Sequence, residues 1–169
     1  MLDIASPPDV PVLSPASDLI FRRTRKGTVV EPNPARRIED RQFLLMHRAF
    51  SRTGGLITGD EVVQRMRRHT QQPTSALARQ IVNRDVVHIA WESQHLLPVF
   101  QFELATMAVR PGITAVVSEL ADVFDDWCLA LWFAQPNAWL GDAAPSDLVV
   151  DQANAVVQAA RADRFIALG

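Results

Sequence analysis

Cysteine occurs once, at Cys128. That excludes an intramolecular disulfide, and a lone thiol beside the apolar run Leu129–Phe133 reads as a core residue suited to a reducing compartment. No apolar run reaches the roughly 18 residues that a membrane span needs, and Pro136 closes the densest one. The stretch Met1–Pro15 has neither a basic leading region nor a long apolar centre, so it does not read as a secretory leader. A cytoplasmic protein without a membrane partner is expected. Basic residues are scarce late in the chain: of 17 Lys and Arg, only Arg110, Arg161 and Arg164 follow residue 100. Residues 101–169 carry nine carboxylates, whereas Arg22–Arg84 holds 14 basic residues against five acidic ones. A polyanion suits the front half and would be repelled by the back half.

The motifs of common enzymes are missing too. There is no G-x-S-x-G, no P-loop and no G-x-G-x-x-G. The four histidines, His47, His69, His88 and His95, do not form a metal-spaced cluster with cysteines or carboxylates. His88 and His95 could face each other across a hairpin, although a solvated strand histidine is the plainer reading. Asp125 and Asp126 are adjacent on a helix and cannot face one another, so they read as a helix cap. No catalytic residue, metal or cofactor is assigned, and a binder is expected rather than an enzyme.

What is present is a chain with 48% hydrophobic residues, enough for a sizeable core. Residues 1–37 hold six of the 11 prolines and no lasting apolar period, which reads as an extended or disordered arm. Its basic cluster Phe21–Gly27 could touch phosphates, although a solvated linker is the plainer reading. A first helix begins near Ile38, with Phe43, Met46 and Phe50 at helical spacing and Gly54-Gly55 ending it. Thr58 and Glu61 make a capping box for a second helix, whose stripe is Val62, Val63 and Met66. A third helix, about 75–84, would bury Leu77, Ala78, Ile81 and Val82. The period then changes to two, and 86–91 and 96–102 read as two strands joined through Glu92–His95. Pro98 argues that the second is an edge strand.

After a linker, Ile113, Val116, Val117, Leu120 and Phe124 stripe a helix. The next, around Cys128–Phe133, is apolar nearly all round, which belongs at a lobe's centre. Pro145 opens a short helix, and a last helix buries Ala153, Val156, Val157 and Ala160. The expected fold is mainly α, a small bundle with a winged-helix-like N-terminal lobe (38–103) containing one β-hairpin and an all-α lobe (112–169).

A capped helix, a short turn, a second helix and a hairpin follow the order of a winged helix-turn-helix. On that reading Ser75, Arg79, Gln80, Asn83 and Arg84 of the third helix can reach phosphates or base edges. Arg65, Arg67 and Arg68 on the preceding helix would add sequence-independent affinity. The hairpin tip lacks Lys and Arg, and the turn lacks the usual glycine.

The segment from Trp127 to Phe165 resembles the C-terminal toxin-binding domain of the Xre/MbcA/ParS family of bacterial antitoxins. The matching residues are Trp132-Phe133, Pro136-Asn137, Leu140-Gly141, Pro145, Leu148 and Ala155–Val157. Upstream, Pro98-x-x-Gln101-Phe102 is similar to a segment that precedes this domain in relatives. The likeness covers roughly 112–169 well and 56–102 loosely. Asp142 stands where relatives often have a second glycine, and Val149-Val150 where they often have two leucines.

The resemblance implies a partner of the RES type, a toxin that consumes NAD, and repression of the pair's own operon. It implies toxin contact through the turn that holds Pro136, Asn137, Leu140, Gly141 and Asp142. Trp139, outside the apolar helix, could anchor in a partner's pocket, although packing under the turn is the plainer reading, and Asp142, Asp147, Asp151 and Asp163 give the lobe a negative field. The expected function is an antitoxin that docks a toxin through its C-terminal lobe and contacts operator DNA through its N-terminal lobe, as a homodimer. The alternative is a solitary DNA-binding regulator that uses the C-terminal lobe for dimerisation.

Overall fold

Helix α1 spans Pro34–Ser51, so regular structure starts inside the expected arm and not at Ile38. A computed structural model describes residues 34–169, and the basic cluster Phe21–Gly27 lies outside the described residues. The expected triad Phe43, Met46 and Phe50 is the buried face of α1. The chain leaves it through Gly54 and Gly55, both at positive φ (105° and 83°). A Cβ at Gly54 would meet the Val99 side chain at 2.8 Å, so the turn needs glycine for space as well as conformation.

The described residues form seven α-helices and one three-stranded antiparallel sheet. Strand β1 (Leu56–Thr58) leads directly into α2 (Gly59–Met66), and α3 (Pro73–Val82) follows. Then come β2 (Ile89–Trp91) and β3 (Gln94–Pro98). β1 corrects the single expected hairpin. It pairs with β3, with Leu56 opposite Pro98 and Thr58 opposite Leu96, which gives the order β1-β3-β2.

β3 is therefore the central strand, and Pro98 does not mark an edge. Pairing with β2 ends at Leu96, opposite Ile89, so Pro98 has no neighbour on the β2 side to miss its N–H. The hairpin turn is Glu92-Ser93 alone, with both residues left-handed (φ 45° and 68°); Gln94 and His95 belong to the strand. Two left-handed residues match the twist of a two-residue hairpin.

Residues 99–110 are a folded connection and not a plain linker. A 3-10 turn at Val99–Gln101 is followed by a Phe102–Val109 bridge, and Met107 is buried beneath it. Helices α4 (Pro111–Leu120), α5 (Asp126–Ala134), α6 (Pro145–Leu148) and α7 (Ala153–Leu168) complete the fold. Asp125 caps α5 by accepting from the Cys128 N–H at 2.7 Å, and that bond holds the Asp125 carboxyl below its usual range. α5 is buried at Leu129, Ala130, Leu131, Phe133 and Ala134, as its all-round apolar sequence requires. Cys128 is on its exposed side, which corrects its reading as a core residue. α4 and α7 pack closely: a Cβ on Gly112 would lie 2.8 Å from that of Ala153, and Glu119 bonds Arg161 at 2.7 Å.

Two apolar cores hold these elements together. Phe43, Met46 and Phe50 of α1 join Ile113, Val116 and Leu120 of α4, Phe133 of α5 and Val156 of α7 in one. Ile57, Val62, Met66, Leu77, Val86, Leu97 and Phe102 form the other. The expected boundary between 38–103 and 112–169 is thus crossed by α1, which belongs to the core of the later helices.

Candidate functional site

The α2–α3 surface holds most of the expected DNA-facing residues. Arg65, Arg67 and Arg68 are exposed, and no carboxylate pairs with them among the described residues. Arg65 and Arg68 line a recess of about 270 Å³ with Gln64, His69 and Met107. On α3, Ser75, Arg79 and Asn83 are exposed, whereas Gln80 is half-buried. Leu77 is the buried residue of α3, with Ala76 and Ile81 packed against its core. Ala78 and Val82 are exposed, which corrects their place on the inner face. The helix is rolled relative to the expected stripe, because small apolar residues on both sides leave its period ambiguous.

Arg84 is set apart from the rest. It follows α3 at φ 58°, the left-handed position that closes a Schellman motif. Its N–H bonds the Ile81 carbonyl at 3.0 Å, and the Asp85 N–H bonds the Gln80 carbonyl at 2.8 Å. Its guanidinium donates to Asp126 Oδ1 at 3.0 Å, to the Phe124 carbonyl at 2.5 Å and to the Ala121 carbonyl. Each of its three nitrogens thus donates to the α4–α5 connection.

Next to this tie, His88 is only 6% exposed, and its Nδ1 has no hydrogen-bond partner. Its Nε2 lies 3.7 Å from Asp126 Oδ2, and its ring centroid is 5.5 Å from that of His95. The two histidines do face each other, with His88 inside. Burial lowers the His88 pKa below its usual value; Asp126 opposes this, while His95 and Arg84 add to it.

Gln101, part of the Pro-x-x-Gln-Phe segment, is fully buried. Its Oε1 accepts from the Val87 N–H and its Nε2 donates to the Val87 carbonyl, both at 2.8 Å. The amide acts as a strand partner for the residue that leads into β2.

The segment singled out by the resemblance is a closed turn. The Asn137 N–H bonds the Ala143 carbonyl at 3.1 Å, and the Asn137 carbonyl accepts from Leu140 and Asp142, each at 3.0 Å. Gly141 and Asp142 are both left-handed, at φ 62° and 63°. Asp142 thus occupies a conformation that favours glycine, and an aspartate tolerates it better than most residues.

Asp163 of α7 organises the whole turn. Its Oδ2 accepts from Trp132 Nε1 and from Asn137 Nδ2, both at 2.7 Å, and its Oδ1 from Trp139 Nε1 at 3.1 Å. Sequence reasoning counted Asp163 only as part of a surface field, because a contact 24–31 residues away leaves no local signal. Asn137 is buried, Leu140 half-buried, and Pro136, Gly141 and Asp142 are exposed. Trp139 is 61% exposed although its indole N–H is held.

A cleft of about 570 Å³ between α1 and the start of α5 is lined by Gln42, Trp91, Trp127, Glu39 and Asp125. Its two indoles stack at 5.9 Å, and Trp127 Nε1 bonds Gln42 at 2.8 Å. Partial burial and the nearby Asp125 carboxylate push the Cys128 thiol up, so it is not an activated nucleophile. Among the described residues, no three His, Cys, Asp or Glu side chains are grouped to hold a metal, and no helix is long and apolar enough to cross a membrane. No family model matches the chain, and neither a curated protein nor a solved structure matches it.

Proposed function

We propose that this chain is a two-ended binding protein and not an enzyme: a winged helix that grips duplex DNA, joined to a turn that docks a protein partner. The observation that carries the DNA reading is the order α1-β1-α2-α3-β2-β3 with β1 against β3, set beside the unpaired arginines of α2 and α3. In that arrangement α3 enters the major groove through Ser75, Arg79 and Asn83, and Arg65, Arg67 and Arg68 contact phosphates. The hairpin tip is not a phosphate contact, since its Glu92 is paired with Arg36 at 3.0 Å.

The partner reading rests on the turn at 136–142. Trp139 is exposed yet held in place by Asp163, so it loses little freedom on binding. The resemblance makes that partner a RES-type toxin. The rival reading, a solitary regulator that dimerises through its C-terminal helix, draws on the exposed Phe165, Ile166 and Leu168 of α7.

The test mixes the purified full chain with a purified RES-domain protein and follows NAD consumption. Inhibition by the parent, weakened at least tenfold in Trp139→Ala, is expected. If NAD consumption is untouched while the chain alone sediments as a dimer, the solitary-regulator reading stands instead. In parallel, retention of a labelled duplex should fall steeply with salt and be lost in Arg79→Glu.

A further inference from the structure

The rolled face of α3 carries more than charge. Ser75, Ala78, Arg79, Val82 and Asn83 are all exposed, and their spacing (i, i+3, i+4, i+7, i+8) puts them on one stripe. No carboxylate interrupts it. Val82 is 80% exposed, and among the described residues no large apolar side chain is more so. A single exposed valine would be unremarkable on its own. Here it has a second apolar residue, Ala78, four positions away, between two side chains suited to base edges. Arg79 spends only its Nε on the Ser75 carbonyl, at 3.3 Å, which leaves both terminal nitrogens without a partner among the described residues.

We infer that Ala78 and Val82 read thymine methyl groups in the major groove of the DNA that α3 enters, so that the preferred site contains thymines next to the bases contacted by Arg79 and Asn83. This rests on the DNA reading given above. The occupant follows from charge and chemistry together. A positive, carboxylate-free stripe suits a polyanion, and only the major groove sets apolar methyls beside hydrogen-bonding edges. Arginine matches guanine O6 and N7, asparagine matches adenine N6 and N7, and the C5 methyl of thymine is the apolar group left for alanine and valine. Four helical residues rise about 6 Å, close to two steps of about 3.4 Å along a DNA strand. The two methyl contacts are therefore expected about two base pairs apart.

The test selects duplexes from a library with a randomised 20-base-pair window, using the full chain. The winners are then remade with uracil in place of thymine, which deletes the methyl and leaves every hydrogen-bonding group. Affinity is expected to fall about fourfold for each contacted methyl, the worth of one such group removed from water. Val82→Ala should lose that dependence at one position and bind the uracil duplex as well as the parent does. Equal affinity for thymine and uracil duplexes overturns the inference while leaving DNA binding intact. A thymine dependence that survives unchanged in Val82→Ala overturns it too. If no duplex is retained even at low salt, the DNA reading itself falls. If Val82→Glu instead splits a self-associating chain into monomers, the stripe belongs to a second copy.

Discussion

Gln101→Leu isolates one structural lock. The replacement has nearly the same volume, so it opens little cavity. What it removes is the pair of 2.8 Å bonds to Val87, both in the fully buried interior. The N–H and the carbonyl of Val87 are then left without partners. Each costs about 1–3 kcal/mol when stranded, and extra burial of apolar surface offsets part of this, so a net loss of about 2–4 kcal/mol is expected. With a urea dependence of about 2 kcal/mol per molar, the unfolding midpoint should drop by about 1–2 M. Amide exchange gives the local check: the Val87 N–H should lose protection more than its neighbours do.

Gln101→Glu separates hydrogen bonding from volume. Its carboxylate can accept from the Val87 N–H but repels the Val87 carbonyl, whereas the protonated acid can donate to that carbonyl. Its folded pKa should lie above the unfolded value of about 4.3. The penalty is then present above the folded pKa and fades as pH falls toward the unfolded one. A Gln101→Leu variant that unfolds within about 0.3 M urea of the parent, with unchanged exchange at Val87, would refute the reasoning.

Arg84 distinguishes a tie from a DNA contact. Arg84→Ala and Arg84→Gly both lose the bonds to Asp126, Phe124 and Ala121, so both should melt below the parent; glycine, at ease at φ 58°, should recover about 1 kcal/mol over alanine. Well below its melting point, Arg84→Gly should keep duplex affinity within about twofold, because one phosphate contact is worth a larger change; a larger loss places Arg84 on the DNA. Since His88 is held below its usual pKa mainly by burial, the unfolded chain takes up the proton first on acidification, and stability should fall as pH drops below about 6.5. Urea midpoints measured between pH 7.5 and 5.5 should show that slope in the parent and lose most of it in His88→Gln; an equal slope in both excludes His88 as its source.

The sequence made the helices legible where one apolar face was long and unbroken. Phe43, Met46 and Phe50 of α1, and Ile113, Val116 and Leu120 of α4, are buried as their spacing required. The capping box Thr58–Glu61 is present with both of its bonds. β1 was hidden because three residues carry no period, and its pairing with β3 lies about 40 positions away. α3 was misread in rotation because Ala76, Ala78 and Val82 satisfy either face about equally. The roles of Gln101, Arg84 and Asp163 were out of reach for a shared reason: each is a polar side chain serving backbone or indole groups far along the chain. The motif residues had pointed at Pro-x-x-Gln-Phe and the Pro-Asn turn without saying what they do there.

The same ties change what the charge asymmetry means. Of the acidic residues after residue 100, Glu103 pairs with Arg110, Glu119 and Asp122 with Arg164, Asp126 with Arg84, and Asp147 with Arg52. Asp125 caps α5, and Asp163 holds two indoles and an amide. Asp142 and Asp151 have neither kind of partner among the described residues, and Asp125 and Asp163 keep their charge because their donors are neutral N–H groups. Arg65 of α2 and Arg67 and Arg68 just after it have no such partners among the described residues. Five of the nine carboxylates are thus held to arginines, at least partly exposed, whereas these three arginines face water without such a partner. On the proposed reading, the turn at 136–142 offers an exposed tryptophan and few charges complementary to a partner, so its grip on a protein should vary less with salt than duplex binding does. The α2–α3 face, whose arginines would release counterions from a duplex, should vary a great deal. That contrast follows from where the carboxylates are spent, and net charge alone could not have revealed it.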